Sequence, residues 1–555
     1  MKQKKKEVRS AVEVMQNFLR YLLSALVTLY MVLLIGVMPF YNTEGFARIG
    51  TDKSVFFTKT AVILGKIAIF AVVCYGITCA VRYFRGKKML QPGSKKTFLS
   101  VTDIFAGLYA ISLIISYACS DYKEAVLWGA SGWYMGLWPQ LLLIGSYFLI
   151  SRFGSLHKWL FYLIFPVSGM VFILGILNRF GIFPIDMQIE NVQFISTIGN
   201  INWYCGYLVT VFFGGVFLWW LEGGQPVEGR RLKKQEVKAG KSRIGYIFLT
   251  VYVALGFGTL VTQGSSSGLF TLTVMSFILF FLSARKQELM LRFWRLMTLL
   301  WCVCLSVFGV RLLFPESLTY RDTAGDIFTY SVLPIVMTIV SFGIHFFLKR
   351  VSVRKGYPEK CFRILAWAAV GGVLSAGIVF VVLLIVNTLY PGSLGTLSEI
   401  PFLTFSPLWG SRRGSTWRAG MMCFAEQDFL HKLVGIGPDG MSAFLYQNGS
   451  EELIALVKEA FGNATLTNAH NEWLTVLVNT GLFGLVCYVG MIVSAVIRYV
   501  KNRNASAIAG AAGFCMLAYT VNNMFSFQQA MNVSVLFLIF GMGEAFLRRR
   551  AELEM

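Results

Sequence analysis

Residues able to perform acid–base chemistry are scarce in this sequence, and one of them stands in a short polar segment. His470 is one of only four histidines in 555 residues, and it lies in the polar segment 467–472. Histidine is the side chain best able to take up a proton near neutral pH. His470 is therefore a candidate general base, and the alternative is an interfacial histidine with a structural hydrogen bond. Glu472 either orients it or stands as a solvated charge at a helix N-terminus.

Three arginines, Arg412, Arg413 and Arg418, fall within seven residues. A guanidinium group binds phosphate oxygens through paired hydrogen bonds and keeps its charge. A helix that starts at Arg413 would place Trp417 one turn later, where the indole can brace the arginine. The cluster predicts binding of a phosphorylated lipid head group. The alternative is that the arginines only snorkel, which means that they extend their charged groups to the membrane–water interface without binding a particular ligand.

Two polar segments and a pair of glycines complete the set of candidates. Asn200 and Asn202 belong to one polar segment and Ser267 to another. Their amides and hydroxyls either bind sugars or phosphates or cap the ends of helices. Gly481 and Gly484 are three residues apart, so they are expected on one helix face, where they permit close packing by a neighbour.

The sequence carries no pattern typical of a metal or nucleotide site. Its ten cysteines include no Cys-x-x-Cys pair and no metal-ligand spacing with histidine. No Walker A loop and no Rossmann glycine fingerprint is present. We therefore expect chemistry that uses no metal, no cofactor and no ATP.

The elements that must position these residues are membrane spans. Hydrophobic residues make up 56% of the chain and charged residues 14%, against about 25% charged in soluble domains. This excludes a large soluble enzyme, a disordered chain and a disulfide scaffold. The pattern predicts an all-α polytopic membrane protein with about 14 transmembrane helices and a large extracytoplasmic loop that contains short helices. The apolar stretches are 18–40, 60–82, 101–119, 133–151, 159–180, 201–221, 244–262, 267–283, 296–314, 328–348, 364–390, 472–497, 505–521 and 531–547.

The net charge of +22 predicts an orientation for these spans. Most of the Lys and Arg residues fall in alternate connecting segments, which the positive-inside rule places in the cytoplasm together with both termini. Contact with anionic lipids explains these charges better than a nucleic-acid partner does. The chain then divides into a tail with two helices (1–100), nine core helices (101–390), the outer loop (391–470) and three last helices (471–555). Within the loop, Glu451–Phe461 reads as a short helix.

Taken together, the motifs resemble those of the bacterial O-antigen ligase and O-antigen polymerase superfamily. His470-Asn471, followed after nine residues by Gly481-Leu482-Phe483-Gly484, is similar to that family's His-Asn-x9-Gly-x-x-Gly signature. Residues 413–417 look like its Arg-x-x-x-Trp element, residues 435–439 like its Gly-x-Gly-Pro element, and residues 199–203 like its upstream Gly-Asn motif. The motifs stand in the family's order and cover the core of the chain, from about residue 100 to residue 545.

The resemblance implies a metal-independent, inverting glycosyltransferase at the outer face of a bacterial cytoplasmic membrane. Such an enzyme moves a glycan from a polyprenyl diphosphate carrier to a glycan, lipid or protein acceptor. The resemblance implies a general base at His470 and diphosphate binding by Arg413, with Arg412 and Arg418 as neighbours that share the task. Many members carry an arginine in a Ser-Arg-Gly turn, where this chain has Ser267. Either a second loop arginine compensates, or phosphate binding is weaker or differently arranged.

Three alternatives to this interpretation stay open at the level of sequence. A transporter or flippase of the same lipid-linked glycan would show discontinuous helices and charged groups near the midplane, for which Lys66 is the main candidate. A non-catalytic scaffold would present the long loop to partner proteins. Within the superfamily, a ligase, a polymerase and a protein transferase differ only in the acceptor.

Overall fold

The computed structural model describes residues 11–84, 99–154, 158–188, 191–222 and 239–553, and these are almost entirely helical. The elements are α1 (Ala11–Val32, continued by a π-helical turn Leu33–Val37), α2 (Ile49–Phe84), α3 (Val101–Cys119), α4 (Lys123–Trp128), α5 (Leu137–Phe153), α6 (Trp159–Arg179), β1 (Phe194–Ile195), β2 (Gly199–Asn200), α7 (Ile201–Glu222), α8 (Ala239–Thr262), α9 (Ser266–Ser283), α10 (Gln287–Leu313), α11 (Thr323–Thr329), α12 (Leu333–Lys355), α13 (Glu359–Leu389), α14 (Trp409–Ala425), α15 (Phe429–Val434), α16 (Met441–Asn448), α17 (Glu451–Phe461), α18 (Glu472–Lys501), α19 (Ala507–Asn522) and α20 (Ala530–Leu553). Strands β1 and β2 pair antiparallel.

Within the described ranges, twelve helices are long and apolar enough to cross a membrane: α1, α2, α3, α6, α7, α8, α9, α10, α12, α13, α18 and α20. The protein is thus an all-α polytopic membrane protein, as the composition predicts. The two other apolar stretches also form helices, α5 with 17 residues and α19 with 16. The predictions for the N-terminal tail and for the basic segments around 85–96 and 230–238 lie outside the described residues.

Burial differs sharply between the helices of the bundle. In the most apolar 18-residue stretches of α7 and α20, 94% of the residues are buried, whereas none is buried in the corresponding stretch of α13. A helix that is apolar on every side must be covered on every side by other helices or by lipid. Helices α7 and α20 therefore form the centre of the protein, and most of α13 is open to lipid, although Ala366 and Asn387 near its two ends are buried.

One end of the bundle is closed by a buried ionic cluster, which we call the charged end. Asp103 at the start of α3 accepts hydrogen bonds from Arg152 at the end of α5 (3.0 Å) and from Arg548 of α20. Glu544 of α20 pairs with Arg498 near the end of α18 at 3.0 Å. Both carboxylates are fully buried, and buried charges of this kind require such partners. The cluster therefore holds the start of α3 level with the ends of α5, α18 and α20.

Gly481 interrupts α18 and lies in close contact with the neighbouring chain. Its φ of +65° breaks the helix, and a Cβ there would lie 2.4 Å from the backbone of Leu433 at the end of α15. The expectation that Gly481 and Gly484 share one continuous helix face is wrong, because the helix turns at the first glycine. Gly484 instead sits against the Thr480 side chain of its own helix, with Ser112 of α3 nearby.

We expect Gly481→Ala to lower the free energy of unfolding by about 2 kcal/mol or more, since left-handed alanine alone costs about 1–2 kcal/mol and the new methyl group displaces backbone. The midpoint of thermal denaturation in detergent would check this. Gly107→Ala is the matched control, because nothing lies within 4 Å of a Cβ at that position of α3. Equal midpoints for the two variants would contradict the packing described here.

The segment between α13 and α18 folds into four short helices, α14 to α17. Helix α17 runs from Glu451 to Phe461, with the bounds that the sequence predicts, and Ser450 caps it through the backbone N–H of Leu453. The helices share a small apolar cluster that includes Ala419, Ile436, Met441, Leu445, Leu453 and Val478. Val478 belongs to α18, so this segment is packed directly against the helix that follows His470.

Candidate functional site

Arg413 is presented by a sharp turn at the start of α14. Gly410, Ser411 and Arg412 all have left-handed φ values between 58° and 69°, so regular helix begins at Arg413. The guanidinium donates from Nε to the carbonyl oxygen of Phe525 and from Nη1 to that of Gly410, both at 3.0 Å. These two bonds fix the plane of the guanidinium and leave Nη2 for a ligand.

Trp417 lies one helical turn after Arg413, as the sequence predicts, and braces it indirectly. Its indole stacks on the ring of Phe525 at 5.9 Å with an interplanar angle of 23°. The guanidinium carbon of Arg413 lies 5.9 Å from the centre of the same ring. The ring of Phe525 is therefore held between the two side chains, while its carbonyl oxygen holds the arginine.

His470 is held at the entrance to α18 by a strained backbone. Its φ is +49°, and its backbone N–H donates to the side-chain oxygen of Asn468 at 3.0 Å. Asn471 is the N-cap of α18 and accepts from the N–H of Leu474 at 3.1 Å. The imidazole packs edge-on against Phe527, with 4.9 Å between ring centres. Among the described residues no hydrogen bond to the imidazole is found, so both ring nitrogens are available to a substrate.

The electrostatics of His470 and Arg413 are coupled. Burial and the positive charge of Arg413 lower the pKa of His470 to about 4. Burial also lowers the pKa of Arg413, but an arginine remains charged at any physiological pH. At pH 7 the site therefore holds a neutral imidazole, able to accept a proton, beside a permanent cation. An anion bound to Arg413 would offset the cation and make His470 a stronger base.

A short polar link between α19 and α20 completes this site, and the sequence analysis missed it. The link, residues 522–529, supplies both the carbonyl oxygen that orients Arg413 and the ring that packs on His470. Its signal was visible: two Asn, one Ser and two Gln interrupt an otherwise apolar region. The segment falls between the predicted spans 505–521 and 531–547, and none of its residues is among the candidates named from the sequence.

The predicted residues Asn202 and Ser267 lie on a second wall of the site. Ser265 donates to the side-chain oxygen of Asn202 at 2.9 Å, and its hydroxyl lies 3.0 Å from that of Ser267. Ser267 is in turn 3.6 Å from the thiol of Cys205, and Phe270 of the same helix α9 packs edge-on against the ring of Phe525, whose carbonyl oxygen binds Arg413. This wall, formed by the starts of α7 and α9, therefore adjoins the arginine.

The remaining predicted residues do not meet His470. Arg412 is exposed and lies 6.0 Å above the ring of Phe461, and Arg418 forms an exposed ion pair with Glu452 at 2.9 Å. Asn200 acts as a cap, since its side-chain oxygen accepts from the N–H of Asn202 at 2.9 Å. Of the three loop arginines, only Arg413 is brought to the histidine.

Glu472 is neither a solvated charge nor a direct hydrogen-bond partner of the His470 ring. Its side chain is 1% exposed, so it is not a solvated charge. No hydrogen bond joins it to the ring of His470 within the described residues. It is covered by α19 and by the link 522–529, whose side chains bind its carboxylate.

A small polar cavity lies next to His470. Its walls include Trp133, Gln140, Asp439, Asn468, Glu472, Thr475, Asn479 and Phe527, and it leaves about 40 Å³ for the centres of water molecules. Asp439 accepts from the backbone N–H groups of Ala130 and Met135, at 2.8 and 3.2 Å. Burial raises the pKa of Asp439 to about 7. The cavity is large enough for a few water molecules and carries groups that bind them.

No protein-family model matches this chain, and no curated protein matches it significantly. The likeness to the O-antigen ligase and polymerase superfamily therefore rests on the motifs. Fold and site together define a class: an α-helical polytopic membrane protein with a partly buried histidine–arginine pair at one end of its bundle. Within the described residues no group of three or more His, Cys, Asp or Glu residues could hold a metal ion.

Proposed function

We propose that this protein is an integral-membrane glycosyltransferase of the O-antigen ligase or polymerase type. It transfers or polymerises a glycan from a polyprenyl diphosphate carrier at the outer face of a bacterial cytoplasmic membrane. The observation that carries the proposal is that one short link holds both His470 and Arg413, which come from distant motifs. The carbonyl oxygen of Phe525 binds the arginine and the ring of Phe527 packs on the imidazole, beside the wall of Asn202 and Ser267. A neutral base next to a fixed cation suits attack by a hydroxyl on a sugar with an anionic leaving group.

The proposed reaction is a single displacement at the anomeric carbon. Arg413 binds the diphosphate through Nη2 and stabilises the charge that develops as the bond from the anomeric carbon to the phosphate oxygen breaks. His470 takes the proton from the acceptor hydroxyl while its oxygen forms the new bond to the anomeric carbon. Polyprenyl diphosphate leaves, and the anomeric configuration inverts. Neither a nucleotide nor paired glycosidase carboxylates take part.

The topology we propose counts α5 and α19 as spans, which gives 14. Arg152 at the end of α5 reaches the charged end, and the start of α5 lies near the site through Gln140. Helix α19 leaves the charged end after Lys501 and reaches Glu472 at its far end through Tyr519. Both short helices therefore run between the charged end and the end that carries the site, as α3 and α18 do. Basic residues at the ends of α18 and α20 support a cytoplasmic location of the charged end under the positive-inside rule, and in the proposed topology both termini lie on that side.

The test uses purified protein in lipid nanodiscs, with a radiolabelled polyprenyl-diphosphate glycan as donor. Glycan, lipid and peptide acceptors are supplied separately, because the motifs do not distinguish between these acceptor classes. The expected result is transfer to one acceptor class, inversion at the anomeric carbon, and full activity in EDTA. Absence of transfer to all three acceptors, under conditions where the donor binds, would overturn the proposal.

A lipid-linked glycan flippase is the second candidate, favoured by one observation. Helix α18 is interrupted at Gly481, and discontinuous helices are typical of transporters. Lys66, the charged residue that this alternative needs within the membrane, is exposed on α2. Movement of the labelled donor across the bilayer of proteoliposomes without chemical conversion would favour the flippase.

On the acid side of the pH–rate profile, the fall in activity (the acid limb) is expected at an unusually low pH for a histidine base. His470 becomes protonated, and so inactive as a base, only as pH falls through its pKa of about 4. The limb of kcat/KM, which reports the free enzyme, should lie near that value rather than near 6.5. The limb of kcat should lie higher, because bound diphosphate offsets Arg413. A rate profile from pH 3.5 to 8 measures both.

Arg418→Gln is the control for this profile and should leave both limbs in place, since Arg418 pairs with Glu452 away from the site. Arg413→Gln should raise the limb of kcat/KM, because it removes the charge that disfavours protonation of His470. If the acid limbs of kcat and of kcat/KM both lay near pH 6.5 in the unaltered protein, the ordinary pKa of histidine being about 6.5, the assignment of His470 as a buried base would be contradicted.

A further inference from the structure

We propose that Glu472 is a positioning residue: its buried carboxylate fixes the link 522–529, and through that link it sets the positions of His470 and Arg413 relative to each other. The assignment rests on the proposed function for its catalytic meaning, but its structural content is independent of it. Glu472 touches neither the proposed reacting atoms nor the imidazole.

The carboxylate of Glu472 is the centre of a hydrogen-bond network that joins three parts of the chain. Its side chain accepts from Tyr488 of α18, from Tyr519 of α19 at 2.7 Å, and from Asn523 and Gln528 of the link, the last at 3.4 Å. Its backbone N–H donates to the carbonyl oxygen of Asn523 at 2.9 Å. All four side-chain partners donate to it, and a carboxylate has about four acceptor positions. An amide of the same shape would set N–H groups against these donors.

The link is held by this network at both of its ends. Asn523 and Gln528 are the two anchored positions, and Gln528 also accepts from Gln140 of α5. Between them stand the two residues that meet the site: Phe525 gives its carbonyl oxygen to Arg413, and Phe527 packs on the imidazole of His470. Loosening the anchors therefore moves the acceptor of one catalytic group and the packing surface of the other together.

The local charges define what such a movement does to His470. Arg413 approaches from α14, Asp439 lines the adjoining cavity, and Glu472 follows on α18 itself. The low pKa of His470 depends first on burial and then on Arg413. If Phe527 withdraws and Arg413 loses the carbonyl oxygen of Phe525, water enters and the cation moves away. Both changes favour the protonated imidazole.

The test is the pKa of His470, measured by NMR titration of the full-length protein with labelled histidine in nanodiscs. We expect Glu472→Gln to raise the pKa of His470 from about 4 by at least one unit, which is about tenfold in the protonation equilibrium. Glu544→Gln is the matched control: Glu544 is an equally buried carboxylate, but it lies at the charged end and should leave the titration unchanged.

Three outcomes decide the inference. An unchanged pKa of His470 in a folded Glu472→Gln protein overturns it. An equal shift in Glu544→Gln also overturns it, because the effect would then be general destabilisation. If Glu472→Gln does not fold, Gln528→Ala removes one anchor alone and should shift the titration in the same direction. Because this readout needs no turnover, absence of transferase activity in the unaltered protein would refute the proposed function and leave the positioning role standing.

Discussion

His470→Ala is expected to lower kcat by about 10³-fold, within the range of about 10²–10⁴ that positioned general bases contribute. The imidazole is neutral at pH 7 and has no hydrogen-bond partner among the described residues, so its available role is to accept a proton. In the proposed mechanism Arg413 binds the donor's diphosphate and is unchanged in this variant, so KM for the donor should change by less than about threefold, as expected for a group that acts in the transition state. Single-turnover transfer of a radiolabelled donor separates the two constants.

His431→Ala is the matched control for this prediction. His431 lies on α15, where its ring contacts Asp428 at 2.6 Å and the carbonyl oxygen of Cys119 at 3.2 Å. It shares the residue type with His470 but not the site, and its loss should leave kcat within about twofold, as for most substitutions away from functional features. Transfer by His470→Ala at the rate of the unaltered protein would remove the general base from the mechanism.

The sequence predicts the helices of this fold far better than their interruptions. Each of the fourteen apolar stretches lies largely within a long helix, and α17 has the predicted bounds, because apolar length and a capping serine are local signals. The break at Gly481 is different. A glycine in an apolar run reads as a packing position, and only the contact with Leu433 at the end of α15 imposes its left-handed conformation. That contact joins distant parts of the chain, so no local pattern contains it.

The same division between local and long-range information applies to the site. His470, Arg413, Asn202 and Ser267 were found from residue type, because imidazole, guanidinium, amide and hydroxyl groups are informative near a membrane. Phe525 was missed because it acts through a backbone carbonyl oxygen, which every residue has. The burial of Glu472 was missed for a related reason. The start of α18 is covered by the link 522–529. In the chain, that link comes only after the rest of α18 and the whole of α19.

Arg413→Lys is expected to lower kcat/KM for the lipid-linked donor by about 100-fold, or about 2.7 kcal/mol. Lysine keeps the positive charge but lacks the planar guanidinium group with its several N–H donors. The native side chain donates to the carbonyl oxygens of Phe525 and Gly410 and still has Nη2 for the diphosphate. An ammonium group is a single point and cannot hold two carbonyl oxygens and a phosphate oxygen in one plane. Both the binding of the donor and the charge on the departing diphosphate are affected, so KM and kcat should change together.

Arg412→Lys provides the control from the adjacent position. Arg412 is exposed and only lies over the ring of Phe461 at 6.0 Å, so its exchange should change kcat/KM by less than about twofold. Arg413→Lys should also leave the pKa of His470 low, because the positive charge is retained, whereas Arg413→Gln should raise it. A lysine variant with full activity would show that planar recognition of the diphosphate is unnecessary. A lysine variant that also raised the pKa of His470 would show that the guanidinium plane, and not the charge alone, keeps water away from the imidazole.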